Sequence, residues 1–362
     1  MGLISAWNYP LNVAFRKVAP ALVAGNCAIL KPSEIACLSC MFLGKIAQDV
    51  GIPEGVFSIV TGGRETGASL VASPSVSMIS FTGSSSTGSK IMEASAAKLS
   101  QVALELGGKS ALIVFDDTDI DRAVETAIKG CLTNGGQICT AHTRLIVQDG
   151  LKDELLKEMK SELEKIPYCK DPINEKERGD RAWESGMTDV IQPIVSADQH
   201  KKILDFFYES KTAGITFFTG GSAPDAKDVG VSGGYFVQPT ILIDVPQDSD
   251  AWQKEIFGPV ISVRSFSGEE DAIMEANSTA FGLASTVMSS NPSKAMRVAN
   301  KIRAGAVFAT STGEGFLAEH PAVSRGGFGC SGIGRELGIL GLHEYTELKS
   351  VNYSGFSIAD AR

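Results

Sequence analysis

MISFTGSSSTGSK, residues 78–90, decides the fold class of this 362-residue chain. Met78–Thr82 predicts a buried strand, and the glycines and serines after it predict a turn that leads directly into a helix. A strand that feeds a helix in this way makes a favourable site for an anion at the helix N-terminus. The stretch comes close to a P-loop, but Lys90 follows Ser89 where the P-loop pattern has lysine before the hydroxyl residue. We therefore interpret it as a phosphate-contacting helix start and set aside a P-loop nucleotide hydrolase.

The same alternation of short apolar runs and amphipathic segments extends over residues 2–115. Further strands are predicted at Gly2–Trp7, Cys27–Leu30, Val56–Val60, Val102–Leu106 and Ala111–Phe115, with helical patterns between most of them. A β-α-β rhythm of this kind is typical of an α/β protein with a doubly wound parallel sheet.

A second α/β domain is predicted from about residue 119. It begins with a helix at Ile120–Cys131, a strand at Arg144–Gln148 and a charged helix at Lys152–Glu164, and the alternation continues to Ala309. Residues 171–196 and 220–234 are polar and irregular and predict surface loops. At the C-terminal end, Glu347–Tyr353 alternates enough to predict one more strand.

Composition limits the classes of function. The chain is 43% hydrophobic and 21% charged, with a formal net charge of −9 and no basic arm, which disfavours a nucleic-acid partner. No long apolar run or secretion signal is present, so we expect no membrane span and a cytoplasmic location. The seven cysteines lack the spacing of a disulfide framework, and the single C-x-x-C at Cys37 and Cys40 favours two small helix residues over a metal site.

Three polar residues stand where catalytic groups are useful. Cys139 follows Gly135, Gly136, Gln137 and Ile138, and small residues beside a thiol let a carbonyl carbon approach it, although buried free cysteines are common. Glu105 ends an apolar strand just before Gly107-Gly108. It could be a general base of raised pKa or a solvated acid at a strand end. Asn8 follows the first strand and could donate to an oxyanion or simply form a turn.

Lys31-Pro32-Ser33-Glu34 ends the second predicted strand. In an α/β nucleotide fold this place commonly holds an acid against ribose hydroxyls, and the same residues also make an ordinary helix start.

Seven motifs in this order resemble the aldehyde dehydrogenase superfamily over essentially the whole chain. They are Trp7-Asn8-Tyr9-Pro10, Lys31-Pro32-Ser33-Glu34, Phe81-Thr82-Gly83-Ser84, Glu105-Leu106-Gly107-Gly108-Lys109, Gly136-Gln137-Ile138-Cys139, Glu255-Ile256-Phe257-Gly258-Pro259 and Gly334-Arg335-Glu336-Leu337-Gly338. The stretches KVAPAL and GSKIM are most similar to the betaine-aldehyde and aminoaldehyde branch.

The resemblance implies a domain plan. We expect a Rossmann-like dinucleotide-binding domain at residues 1–106, lacking the usual N-terminal region, and an α/β catalytic domain at 107–312. Residues 313–362 are expected to return to the cofactor domain and to supply an oligomerisation strand.

The resemblance also implies a mechanism: NAD(P)-dependent oxidation of an aldehyde through a cysteine thiohemiacetal and thioester. Cys139 would be the nucleophile, Glu105 the base for deacylation, and Asn8 with the Cys139 backbone N–H the oxyanion hole. Lys17 and Glu336 would belong to a proton relay.

The same resemblance implies a cofactor site. Glu34 would repel a 2′-phosphate, which favours NAD over NADP, although NADP is possible. The residues implied to contact the cofactor are Trp7, Lys31, Ser33, Glu34, Gly83, Ser84, Leu106, Glu255 and Phe257.

Departures from the family pattern raise further expectations. We expect a homo-oligomer or, because Met1 falls inside the strand that leads to Trp7, a hetero-assembly that fills the missing region. The alternative function is that of a truncated, non-catalytic subunit with a structural role. Where betaine-aldehyde enzymes place aromatic residues around a cation, the chain keeps Tyr9 but has Arg16 and Thr133. We expect betaine aldehyde to be a poor substrate because Arg16 would repel it.

Phe308-Ala309-Thr310, where relatives have Trp-Val-Asn, indicates a remodelled pocket.

Overall fold

The computed structural model describes residues 1–170, 190–230, 234–313, 320–352 and 354. Its strands are β1 Gly2–Ile4, β2 Ala28–Lys31, β3 Phe57–Ile59, β4 Met78–Thr82, β5 Gln101–Glu105, β6 Ser110–Val114, β7 His142–Gln148, β8 Thr216–Thr219, β9 Thr240–Ile243, β10 Val260–Phe266, β11 Ala284–Met288, β12 Ala306–Thr310 and β13 Gly332–Ile333. Its α-helices are α1 Pro10–Val23, α2 Leu38–Asp49, α3 Arg64–Ala72, α4 Ser85–Ala96, α5 Ile120–Leu132, α6 Lys152–Leu163, α7 Ala197–Thr212, α8 Ala226–Val229, α9 Asp250–Gln253, α10 Glu269–Ala276, α11 Pro292–Ala299 and α12 Gly338–His343.

The first sheet confirms the predicted doubly wound parallel arrangement. Its strand order is β13-β5-β4-β1-β2-β3, and every neighbouring pair is parallel except β13 with β5. The chain moves outward from β1 to β3 and then returns to the other side of β1 with β4. This reversal of strand order creates a crevice beyond the carboxyl ends of β1 and β4, where ligands bind in such sheets.

The second sheet has the order β12-β11-β6-β7-β10-β9-β8 and is parallel apart from β8. The strand predicted at 111–115 is β6 of this second sheet, although we expected it to continue the first. Only four residues, 106–109, separate β5 from β6, and a parallel crossover within one sheet needs a dozen or more. The chain therefore passes straight from one sheet to the other.

Burial explains the strands and helices of the second sheet. Every residue of β6 and β11 is buried, which is why their sequences are small or apolar throughout rather than alternating. Helix α5 begins where the Asp119 side chain accepts a hydrogen bond from the backbone N–H of Arg122, and it buries one face against β7.

The C-terminal strand predicted at 347–353 is not confirmed. Residues 347–352 form no strand, Leu348 is 98% exposed, and Tyr353 lies outside the described residues. An extended segment becomes a strand only when its N–H and C=O groups meet a neighbouring strand, and no described residue supplies one.

Most of the first predicted loop, 171–196, lies outside the described residues. The second predicted loop, 220–234, contains the single-turn helix α8. The domain bounds taken from the resemblance stay a prediction. Within the described ranges no helix has the length and apolar character that a bilayer span needs.

Candidate active site

Two cavities meet at the thiol of Cys139. One, of about 490 Å³, lies at the crevice of the first sheet, and the other, of about 650 Å³, lies between α1 and the segments around Arg325 and Glu336. Asn8, Thr82 and Cys139 line both cavities. The thiol is thus reachable from two directions, as a nucleophile between two ligands must be.

Glycines hold the loop that carries Cys139. After α5 the chain makes a 3-10 turn in which Gly135 and Gly136 adopt φ of +65° and +72°. A Cβ on Gly136 would lie 2.2 Å from the carbonyl oxygen of Gly258, and one on Gly108 would lie 2.2 Å from the carbonyl oxygen of Cys139. The glycine motifs that surround Cys139 therefore permit close backbone contact between three distant segments.

Asn8 is placed beside this loop. Its Nδ2 donates to the carbonyl oxygen of Gln137 at 3.0 Å, and the Nδ2 of Asn134 donates to the carbonyl oxygen of Asn8 at 3.3 Å. An amide NH₂ group has two N–H donors, and the bond to Gln137 uses one of them. The amide is therefore oriented within reach of the cavity junction.

Burial controls the ionisation of Cys139. Desolvation raises the pKa of the thiol to about 12, an effect that nearby Arg325 opposes and that the carboxyls of Glu255 and Glu105 reinforce. The sulfur is accordingly a thiol at neutral pH in the ligand-free protein. Attack on a carbonyl carbon requires that its proton be accepted by a base.

Glu105 ends β5 and is half-buried as a residue, but its Oε1 atom is buried. Its Oε1 has no hydrogen-bond partner among the residues that the structure describes. Desolvation, and then repulsion from Glu336, raises the pKa of Glu105 to about 8. Of the two interpretations that the sequence left open, the structure therefore supports the carboxyl with a raised pKa.

Lys17 and Glu336 meet, as the resemblance implied. Their side chains form an ion pair in which they are 0% and 6% exposed. Lys17 also donates to the Ser80 hydroxyl at 3.2 Å, and the hydroxyl of Tyr345 donates to Ser80 at 2.9 Å. Lys17 lines neither cavity. Glu336 lines the second cavity and interacts electrostatically with Glu105. A buried chain of polar groups thus leads away from the cavity.

Trp7, Glu255 and Phe257 come together in the crevice cavity. The rings of Trp7 and Phe257 pack edge to face with centroids 5.4 Å apart, and the backbone N–H of Gly108 donates to Glu255 at 3.0 Å. Burial raises the pKa of Glu255 to about 7, although that hydrogen bond and Lys109 oppose the shift. Phe257 has a φ of +58°, which is costly for a bulky residue and typical of functional sites.

The junction between β4 and α4 forms another wall of this cavity. Gly83, Ser84 and Leu106 all line it. The Ser84 side chain caps α4 by accepting from the backbone N–H of Thr87 at 3.3 Å, which confirms the predicted passage from strand to helix. The helix start therefore faces the crevice, as an anion site requires.

Lys31, Ser33 and Glu34 do not line the cavity. They lie at the carboxyl end of β2, next to β1, with Lys31 Nζ 3.1 Å from the Glu34 carboxylate. Glu34 is largely exposed, and the pKa of its carboxyl is lowered by a hydrogen bond from its own backbone and by Lys31. Their contact with a cofactor stays a prediction.

Sequence reasoning missed several residues of the site. Gln199 and Lys202 reach the crevice cavity from α7, and Lys254 reaches it from the end of α9. Ser80 and Tyr345 are 265 residues apart in the chain, so no local spacing could have paired them. Sequence reasoning also missed Arg325, which lines the second cavity and interacts electrostatically with both Cys139 and Glu105.

Comparison with known sequences accounts for this arrangement. The sequence profile of the aldehyde dehydrogenase family matches residues 1–351. The chain belongs to the aldehyde dehydrogenase family. This confirms the resemblance drawn from the seven motifs, and the two sheets are those of an aldehyde dehydrogenase fold.

Two plant aldehyde dehydrogenases illustrate the similarity. The chain is 44% identical over 352 residues to a peroxisomal aminoaldehyde dehydrogenase of Pisum sativum and 41% identical over 352 residues to a chloroplastic betaine aldehyde dehydrogenase of Beta vulgaris. Each alignment covers 97% of this chain and 66% of the relative. The chain thus spans about two thirds of the length of the curated relatives it matches.

Solved structures show the same aldehyde dehydrogenase fold. Betaine aldehyde dehydrogenase of Staphylococcus aureus in complex with NAD⁺ superposes with a TM-score of 0.85 at 35% identity, covering 95% of this chain and 65% of that one. The Mycobacterium tuberculosis aldehyde dehydrogenase complexed with NAD⁺ gives a TM-score of 0.88 at 34% identity, covering 99% and 70%.

Proposed function

We propose that this chain oxidises an aldehyde to a carboxylic acid with hydride transfer to NAD(P), through a thiohemiacetal and a thioester on Cys139. The observation that carries the proposal is the position of the Cys139 thiol at the junction of two cavities. One cavity has the walls expected around a dinucleotide, and the other contains the buried carboxyl of Glu105.

The residues of the crevice fit a nicotinamide cofactor. Glu255 lies where Gly107 has no side chain, since a Cβ there would be 2.3 Å from the Glu255 carboxylate, and the α4 N-terminus faces the same space. Trp7, Ser84, Leu106, Glu255 and Phe257 would hold the cofactor. When bound, the nicotinamide supplies the acceptor for a hydride.

The chain's own groups account for acylation. The Cys139 sulfur attacks the aldehyde carbon, and Asn8 Nδ2 with the Cys139 backbone N–H stabilises the oxyanion that develops on the carbonyl oxygen. Loss of hydride from the thiohemiacetal carbon leaves a thioester on Cys139. Because the thiol begins protonated, the ionised form of Glu105 accepts its proton as the carbon–sulfur bond forms, and Glu105 has to release that proton again before deacylation.

Glu105 is the base for deacylation. A pKa of about 8 lets the carboxylate take a proton from a water molecule, yet leaves an ionised fraction near neutral pH. That water attacks the thioester carbon, the carboxylic acid leaves, and the Cys139 sulfur is restored. Glu336, which is paired with Lys17, provides the next polar group along the path from Glu105.

Aldehyde-dependent NADH formation, followed by absorbance with a panel of aldehydes, tests this proposal. We expect Cys139→Ala to abolish the signal and Cys27→Ala, at an exposed cysteine away from both cavities, to retain it. A folded wild-type chain that oxidises none of the aldehydes would instead support a non-catalytic subunit. Activity that survives Cys139→Ala would overturn the mechanism.

Location and assembly stay predictions. The sequence predicts a cytoplasmic protein and a homo-oligomer or hetero-assembly. Light scattering of the purified chain, alone and after expression in its native host, measures the second of these directly.

A further inference from the structure

Arg144 is a buried cation that the proposed mechanism does not use. It lies on β7, shortly after Cys139 in the chain, and is 3% exposed. It lines neither of the two cavities that meet at Cys139. Burying a guanidinium group is costly unless hydrogen-bond acceptors replace the lost water, so the partners of Arg144 indicate which parts of the protein it holds together.

Three backbone carbonyl oxygens accept hydrogen bonds from the Arg144 guanidinium. Its Nε donates to the carbonyl oxygen of Lys109 at 2.7 Å, its Nη1 to that of Glu275 at 2.9 Å and its Nη2 to that of Ala276 at 2.7 Å. A planar fork of N–H donors can serve acceptors in three directions, whereas the compact ammonium group of a lysine cannot span them. Arg144 therefore ties the segment before β6 to the end of α10.

The contact with Lys109 leads to Glu255. Lys109 follows Gly107 and Gly108, and the backbone N–H of Gly108 donates to the Glu255 carboxylate at 3.0 Å. A Cβ at Gly107 would lie 2.3 Å from that carboxylate, so Glu255 rests directly on the glycine backbone. Moving the carbonyl group of Lys109 would move the peptide groups just before it, one of which holds Glu255.

A second contact of Arg144 leads to Glu255 along the chain. The guanidinium carbon lies 5.1 Å from the centre of the Trp252 ring, which is completely buried in α9, and Glu255 follows soon after this helix. The position of Trp252 is fixed further by the guanidinium of Arg264 at 5.4 Å and by a 2.7 Å hydrogen bond from its Nε1 to Ser278. Arg144 thus supports both the peptide that donates to Glu255 and the helix that precedes it.

Glu255 lies where the nicotinamide half of the cofactor has to bind. It lines the crevice cavity together with Cys139, and the two groups interact electrostatically. A hydride passes directly from the carbon on the Cys139 sulfur to the nicotinamide ring, so that ring and its ribose must be close to both residues. The carboxyl oxygens of Glu255 can accept hydrogen bonds from the ribose hydroxyls.

We infer, on the basis of the proposed oxidation with NAD(P), that Arg144 is a positioning residue: it holds Glu255 in place for the nicotinamide half of the cofactor without touching the cofactor itself. A purely structural role would have a different consequence. Loss of Arg144 would then lower stability, while the protein that remained folded would bind both halves of the cofactor as before.

Cofactor binding by wild-type and Arg144→Lys protein tests this role. Trp7 lines the crevice, so its fluorescence reports binding of NAD and of ADP, which has the adenosine and both phosphates of NAD but lacks the nicotinamide ribose. For Arg144→Lys we expect the Kd for NAD to rise about tenfold, the effect of losing roughly one hydrogen bond, and the Kd for ADP to change less than about twofold. In steady-state kinetics, KM for NAD should rise more than KM for the aldehyde.

Leu145→Ala is the matched control. Leu145 is the next residue of β7, is completely buried, and packs in the hydrophobic cluster on the opposite face of the strand. Its replacement should lower stability in urea unfolding and leave the ratio of the two Kd values unchanged. Trp252→Phe, which shortens the ring beside Arg144, is a milder second variant and should raise the Kd for NAD by a smaller factor, also without affecting ADP.

The outcomes distinguish the positioning role from the proposed function. Unchanged NAD affinity in folded Arg144→Lys and Trp252→Phe protein, or equal losses for NAD and ADP, would refute the role of Arg144 alone. A loss of NAD affinity in Leu145→Ala as large as in Arg144→Lys would refute it as well. A folded wild-type chain that does not bind NAD would overturn both the positioning role and the proposed function.

Discussion

Replacing Glu105 by glutamine should make the protein more stable relative to wild type, by an amount that increases as pH rises. In the folded protein the pKa of Glu105 is raised from an ordinary value of 4.5 to about 8, chiefly by burial. A raised pKa in an acid means that the folded state holds a proton which the unfolded state has lost. The contribution of Glu105 to wild-type stability is therefore highest below pH 4.5 and falls as pH rises from 4.5 to 8.

The size of the effect follows from the two pKa values. Between these two pKa values, the contribution of Glu105 to the free energy of unfolding of the wild-type protein falls by about 1.4 kcal/mol for each pH unit. Over the full interval it falls by at most about 5 kcal/mol. Glutamine does not titrate. The free energy of unfolding of Glu105→Gln minus that of wild type should therefore increase by about 1.4 kcal/mol per pH unit between pH 5 and pH 8.

Urea unfolding at several pH values, followed by fluorescence or circular dichroism, measures this difference. The matched control is Glu154→Gln at an exposed glutamate on α6, for which we expect no such trend. The same Glu105→Gln protein should lose deacylation, with kcat lowered about 10²- to 10⁴-fold. A constant stability difference across this pH range would refute the conclusion that Glu105 is held protonated by its surroundings.

Two further substitutions test the packing of the site. Gly107→Ala would place a Cβ 2.3 Å from the Glu255 carboxylate, so Glu255 must move, and we expect the dissociation constant for NAD to rise at least about tenfold by fluorescence titration. Lys17→Met would leave the buried Glu336 carboxylate without its partner, and we expect a loss of about 3–5 kcal/mol in urea unfolding.

Each of these variants has a matched control. Gly67→Ala adds a methyl group where nothing lies within 4 Å, in the middle of α3, and should leave NAD affinity unchanged. Lys45→Met removes an exposed pair with Asp49 on α2 and should cost less than about 1 kcal/mol. Equal effects in variant and control would contradict the contacts described for Glu255 or for Lys17.

The parallel sheet was predictable from sequence because β4 and its neighbours are short apolar runs separated by helical patterns. Local periodicity also placed the start of α5 and the passage from β4 to α4. The predicted C-terminal strand was not confirmed, for the opposite reason. Alternation in 347–352 describes one segment alone, whereas a strand requires a second one beside it.

In the candidate site, too, local sequence could indicate some features, whereas others depend on distant segments. Cys139, Glu105 and Asn8 could be proposed from glycine-rich or strand-end contexts, but each had a plausible structural alternative. The ionisation of Glu105 depends on Glu336, a residue more than two hundred positions away, and on the exclusion of water. Nothing in the local sequence indicates the positive φ of Phe257 or the hydrogen bond from Tyr345 to Ser80.

The sequence by itself determined the fold class and the family, and it predicted Cys139 as the nucleophile, because these follow from local patterns and ordered motifs. Only the tertiary structure decided that Cys139 lies between two cavities, that Glu105 has a raised pKa, and that Arg16 and Arg325 share one cavity. The physical reason is that desolvation and electrostatic interaction depend on distance in space, and the segments concerned become neighbours only when both sheets have formed.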